Sequence, residues 1–588
     1  MAYIQTYKGL RIVMPEPLTG TGGTALNFNF KAIANHMVDT TAVHGSTAAN
    51  TINTIVQRGA AGEFASGTLT VTGNVIPSGY VNATGDVTGY DLYANNDITA
   101  LGTITGARLV ITYGGGLGTV AQDGSGLVGL TSGTALITSA NSGTFSHGFA
   151  KRNAGASVPT INASGIGAFS GGYVYNDTSG ALNTHVITAS GIGSFAHGRV
   201  NAYGDTTSSL VASGSGCAAF GNADSVYGGL ATSSQIVAGA QAGAFAVGNA
   251  ISTVGKAKIG ATHKGSFANG YVKSDTAYYS YITSINFGSH ASGYVTSGGT
   301  GDSKISATEK GSFAHGGVEG GLSQGTILSS NIGSTAFGYV YGRGTASEIT
   351  SSAKGSLSSG YVLGGYLTAS GAGSVAFGAV YNDAGYESTI AASSSGSFAH
   401  GYVKGTSPYQ CSILSSARGS HASGYVYTKN ATGSIEANGY GAFAHGHVNS
   451  YSAYPAYIKA TAKGSVALGV SSATTGYTAY ITSSGIGSLA IGYSRGYAAL
   501  SEITASAAGA CAFGYANSAS IAAIQPNSFQ FGMGVNNTAN SLQVGVAGTG
   551  IRLQTDGTIV TGAGTSLAAF SGAITNLTVV NGIVTAAS

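Results

Sequence analysis

Gly193-Ser194-Phe195-Ala196-His197-Gly198 is one copy of a phrase that returns every 18 to 27 residues between Gly143 and Gly532, eighteen times in all and often followed by Tyr-Val. The closing glycine is present in every copy, Gly148, Gly198, Gly270, Gly316, Gly401, Gly446 and Gly492 among them. The opening glycine, two residues before the aromatic, is replaced once, by Asn527. A glycine held in register this often marks a place where a side chain does not fit or where φ must be positive. A unit of about 23 residues cannot bury an apolar face by itself, so copies must stack. The fold class expected is therefore all-β: an elongated β-solenoid or β-roll.

Composition agrees with this. The chain has 588 residues, 97 of them glycine and none tryptophan, with 7% charged residues and 43% hydrophobic ones. Low charge often accompanies disorder, but periodic apolar positions argue for order. A formal net charge of +3 over this length is too small for a nucleic-acid footprint. Cys217, Cys411 and Cys511 fit no disulfide or zinc spacing. Met1–Met14 lacks the apolar core of a secretory signal, and no run reaches the length of a membrane helix, so neither Sec-type export nor membrane insertion is expected. An extracellular or virion-associated protein would then leave the cell by another route.

Four regions are expected. In residues 1–60, Leu26, Phe30, Ile33 and Met37 recur at helical spacing, predicting a short amphipathic helix for attachment or nucleation. Residues 61–140 alternate Thr, Val and Ile in short strands. The array runs over 141–534, and 535–588 reads as a C-terminal β cap or tip containing Ile551-Arg-Leu-Gln554.

Each repeat reads as two strands, the phrase and a second run such as Ile187-Thr-Ala-Ser190, joined by a loop of variable length. With the aromatic as slot zero, slots zero and +2 share one face and slots +1 and +3 the other. Slots zero and +2 trade volume: Phe195 goes with His197, Ala218 with Phe220, and Thr335 with Phe337. Such trading is expected of a packed interior. On this reading Phe195, Phe267, Phe313, Phe398 and Phe443 are structural core residues, and the Ala/Gly flank packs against sister chains around a threefold axis. A single-chain solenoid is the alternative.

Copies such as Gly464-Ser-Val-Ala-Leu-Gly469, Gly487-Ser-Leu-Ala-Ile-Gly492 and Gly373-Ser-Val-Ala-Phe-Gly378 resemble the head repeats of YadA-like trimeric adhesins, which are parallel β-rolls wound as intertwined homotrimers. The resemblance covers about two thirds of the chain. It departs in repeat length and in having neither stalk nor membrane anchor. Gly22–Ile33 and Asn540–Gly545 with Ile551–Gln554 are similar to the ends of phage tail fibres. Together these imply a trimeric fibre or adhesin shaft that binds a cell-surface glycan or receptor, with a virion baseplate at its other end. The alternative is an extracellular filament whose subunits join end to end.

Several side-chain groups could carry recognition. Tyrosines cluster in the variable loops, at Tyr278, Tyr279 and Tyr281, at Tyr451, Tyr454 and Tyr457, and at Tyr477 and Tyr480. They either form contact surfaces or fold back over the coil. Histidine fills slot +2 in five copies, and His445-Gly-His447 has the spacing of an axial metal ladder. Metal ligands would not alternate with Phe, so these histidines are read as packing groups, with neither metal nor cofactor expected. A base precedes the phrase at Lys264, Lys310, Lys354, Arg418 and Lys463. This column either attracts an anionic surface or blunts sideways association. Gly492-Tyr-Ser-Arg-Gly496 matches a hydrolase elbow in form but sits inside a repeat, so no catalytic residues are assigned and no enzyme is expected.

Overall fold

The computed structural model describes side chains over residues 135–560 apart from short loop segments, and outside that range the backbone of strands alone. The expected helix at Leu26–Met37 lies outside the described residues, as does the side chain of Tyr278. Two compact units are present: residues 1–70, 80–88 and 98–104 form one, and 71–79, 89–97 and 105–588 the other. The first contains an antiparallel hairpin, Tyr3–Tyr7 with Leu10–Met14.

The second unit is a β-solenoid. Its phrase strands belong to a 25-stranded sheet and its second strands to a 19-stranded sheet. Within the array both sheets are parallel and in register. Phe169 stands over Phe195, Phe195 over Ala218, and Gly198 over Gly221. Ile187 stands over Leu210 and Ile236 follows. Past Phe529–Phe531 the pattern changes. Ser541–Val544 still pairs in parallel, but Ile551–Gln554 and Ile559–Thr561 add antiparallel.

The interior is the reverse of the face assignment made from volume trading. Ser194, Ala196 and Val200 are buried, whereas Phe195 and His197 are only partly covered. Phe267, Phe313, Phe398 and Phe443 are likewise only partly covered. The Ala/Gly flank therefore lines the coil, and the aromatics face out. The bulk inside comes from the second strand, whose central residue is a fully buried Ile or Leu in coil after coil: Ile236, Ile259, Ile282, Ile305, Ile327, Ile349 and Leu367 in succession. Each such side chain contributes about 2–3 kcal/mol when removed from water.

That isoleucine explains the closing glycine. A Cβ on Gly401 would lie 2.7 Å from Ile413 Cδ1 and 1.8 Å from the carbonyl oxygen of Gly424 in the next coil. Glycine backbone and isoleucine side chain together fill a gap between sheets too narrow for two side chains. The opening glycine has a different reason: Gly396, at φ +63°, turns the corner in open space. Asn527 takes the same conformation at φ 52°, and asparagine is the residue that best tolerates it after glycine.

Buried serines close that corner. Ser289 Oγ donates to the Asn286 carbonyl at 2.6 Å and accepts from the Asn286 amide at 3.1 Å. Ser284 and Ser289 hydroxyls lie 2.6 Å apart. A buried hydroxyl needs such partners, and these define the turn. Cys217 takes the same slot as Ser289 and donates to the Gln241 carbonyl at 2.9 Å. Gln530, the one large residue in the +1 column, is fully buried where the last coils lie, and its amide donates to the Gly532 carbonyl at 3.0 Å.

Candidate interaction face

Slots zero, +2 and +4 all point outward from the phrase sheet, and in-register pairing turns them into columns. Phe145, Phe169 and Phe195 stack at 5.3 and 4.4 Å between ring centroids. Where slot zero becomes Ala218, Phe220 in slot +2 takes over, 4.8 Å from Phe195 and 5.5 Å from Phe245. The ladder continues through Phe267, His290 and Phe313 at 5.2, 4.7 and 4.6 Å. Volume trading between the slots thus maintains a surface column of rings rather than a packed core, with aliphatic side chains taking over at Leu357, at Val466 and Leu468, and at Leu489 and Ile491.

A second column, which sequence reasoning did not single out, occupies slot +4. Tyr339 and Tyr361 stack at 5.5 Å, and Tyr402 and Tyr425 at 5.1 Å. His447 continues this column, edge-on to Tyr425 at 4.7 Å. The repeated "Tyr-Val" after the phrase was its signal: Val goes in, Tyr goes out. The outer face of the other sheet is mixed polar, with Lys459 paired to Glu436 at 3.0 Å and Thr350 donating to Glu348. Among the described residues the phrase sheet carries most of the stacked rings.

Histidines are embedded in that surface. His147 and His197 rings stack at 5.4 Å, and burial followed by the charge of His147 lowers the pKa of His197. His421 Nε2 lies 3.1 Å from Ser423 Oγ, which lies 2.8 Å from His445 Nδ1. Burial, then His445 and His400, lowers the pKa of His421. His445 and His447 share the outer face, as their spacing requires, but engage different neighbours. Among the described residues no three His, Cys, Asp or Glu side chains converge as a metal site.

The tyrosines of the variable loops separate into two places. Tyr454 and Tyr477 stack at 6.2 Å, and Tyr457 and Tyr480 stand in register on the second sheet. The Lys459 ammonium lies 4.1 Å over the Tyr457 ring, and the Tyr480 hydroxyl donates to Glu502. Tyr451 stands exposed under Lys429. Tyr279 and Tyr281 stack at 5.8 Å further down the array. The bases Lys264, Lys310, Lys354, Arg418 and Lys463 all stand exposed at the corner before the phrase strand.

One buried group lies outside the phrase and escaped sequence reasoning. His185 is fully buried at the start of His185–Ala189, and neither ring nitrogen has a hydrogen-bond partner among the described residues. Burial lowers its pKa to about 4. Because the folded pKa is below the unfolded value of 6.5, the unfolded state binds the proton more readily between these limits. Stability is therefore present above pH 6.5 and lost as pH falls toward 4, by about 3 kcal/mol in full. Urea titrations of wild type and His185→Ser between pH 7 and pH 4 should show a steeper loss in wild type. Parallel pH profiles would contradict this assignment.

No family model, curated protein or solved structure matches this chain.

Proposed function

We propose that this chain is the shaft of an attachment fibre, tail-fibre-like or adhesin-like, assembled as a parallel homotrimer and binding a receptor or glycan on a cell surface. The observation that carries the reading is the asymmetry of the two outer faces. One sheet presents ring columns along the array, and the other a mixed polar surface. A contiguous apolar surface of this extent marks an interaction site. Covering the exposed part of a ring contributes on the order of 0.5–1 kcal/mol, repeated in most coils. A parallel partner has the same repeat spacing, so its columns can match over their full length.

Mechanically, the array suits a shaft. Nineteen strands at about 4.8 Å make a stack on the order of 85 Å, hydrogen-bonded along its axis. The change to antiparallel pairing after Ser541–Val544 ends the coil geometry and supports a closed tip rather than a templating end. Native mass measurement with negative-stain microscopy tests the proposal. Three chains in rods of uniform length are expected, and indefinite end-to-end filaments would overturn it.

A further inference from the structure

The corner before each phrase strand carries one residue, three positions before slot zero, and these form a single-file ridge. Along one part of the ridge the residues are Lys264, Phe287, Lys310, Ile332 and Lys354 in successive coils. Along another they are Arg418, Tyr440, Lys463 and Ile486. Cation and large apolar group alternate in both. All are exposed, and the apolar ones markedly so: Phe287 46%, Ile332 48%, Tyr440 52% and Ile486 64%.

The spacing is fixed by backbone hydrogen bonds. The Gly288 amide donates to the Lys264 carbonyl at 3.1 Å, Gly311 to Phe287 at 2.9 Å, and Gly333 to Lys310 at 3.1 Å. The second part repeats this, with Gly441 donating to Arg418 at 3.0 Å and Gly464 to Tyr440 at 2.9 Å. Cations in alternate coils therefore lie about 10 Å apart, the length scale of a disaccharide in an extended chain. The neighbouring corner glycines leave the flank of the ridge unobstructed, since a Cβ on Gly288, Gly311, Gly333 or Gly355 would meet nothing within 4 Å.

Charges placed only to prevent sideways association would not be interleaved with exposed Phe, Ile and Tyr. A ridge one residue wide with alternating chemistry fits a linear ligand of matching period. We infer that it binds an acidic polysaccharide bearing one carboxylate or sulfate on every second sugar. The cations meet the acidic groups, and the intervening apolar side chains pack against the carbon faces of the sugars between them. Individually these exposed contacts are weak and salt-sensitive. Repetition on one rigid scaffold makes them additive through effective concentration. The inference rests on the attachment reading, whose glycan class it specifies, but not on the number of chains.

Hyaluronan is a suitable probe, because its carboxylates fall on alternate sugars. Immobilised hyaluronan should bind the full chain, with affinity falling as salt rises, and neutral dextran should not. Lys264→Ser/Lys310→Ser/Lys354→Ser should weaken binding about tenfold or more. Phe287→Ser/Ile332→Ser should weaken it as well, although it removes no charge; since these side chains are exposed, the melting temperature of both variants should be unchanged. Unaltered binding by either variant overturns the inference. So does retention on phosphatidylglycerol vesicles without retention on hyaluronan. A trimeric rod that attaches to cells stripped of acidic polysaccharide would sink the ridge assignment and leave the fibre reading intact. A monomer that binds hyaluronan through the ridge would do the opposite.

Discussion

Gly401→Ala is expected to break the stack at its coil, with a loss of about 3 kcal/mol or more in the stability of the surrounding repeats. The added methyl would need to occupy space 1.8 Å from the Gly424 carbonyl oxygen and 2.7 Å from Ile413 Cδ1, at a φ of +146°. The first obstacle is backbone and cannot move without breaking the register of Phe398–Val403 with the next coil. Because each coil contacts chiefly its neighbours, damage should appear as a new cleavage site around residues 401–424 under limited proteolysis, together with a lower urea midpoint. Gly396→Asn is the control. Gly396 also has a positive φ, but its surroundings are open and Asn527 already occupies the equivalent position. A loss of no more than about 1 kcal/mol is expected there. Equal effects of the two substitutions would mean that the glycines serve only as turn formers.

Phe195→Lys/Phe267→Lys/Phe398→Lys should produce the opposite separation: a folded chain in which the proposed trimer does not form. The three rings lie on the outer face and touch neighbours of their own column, Phe169, Phe245 and His421 among them. The interior of Ala, Gly, Val and Ile is untouched. Charges placed along a docking face add desolvation cost and like-charge repulsion between chains, on the order of several kcal/mol in total. Sedimentation should then report the mass of one chain with an unchanged far-ultraviolet β signature. Loss of the β signature would return the aromatics to the core. An unchanged oligomer would remove the ring face from the interface.

Much of this architecture could be read from residue order. The phrase defined its strand, Ile187-Thr-Ala-Ser190 its partner, and the variable loop the place where most of the length change between coils falls. Volume compensation between slots zero and +2 is equally compatible with an exposed ladder, which is why it does not identify the enclosed face. A better signal was available in constancy: the second strand repeats Ile or Leu in coil after coil, while slots zero and +2 accept Phe, His, Thr and Ser. An enclosed gap of fixed width tolerates one size, whereas an open face accepts any group, ring or aliphatic, that covers its neighbours. The ridge had the same history. The five bases stand out in the sequence, but Phe287, Ile332, Tyr440 and Ile486 between them share no common identity there. Only stacking shows that they share a column.

Periodicity by itself determined that the chain winds into stacked two-stranded coils, because a glycine-bounded unit this short has no other way to remove apolar surface from water. Which flank would be enclosed was decided only in three dimensions. Two sheets close enough for an isoleucine to touch a facing glycine leave no room for phenylalanine, and that distance is a property of the folded pair rather than of either strand.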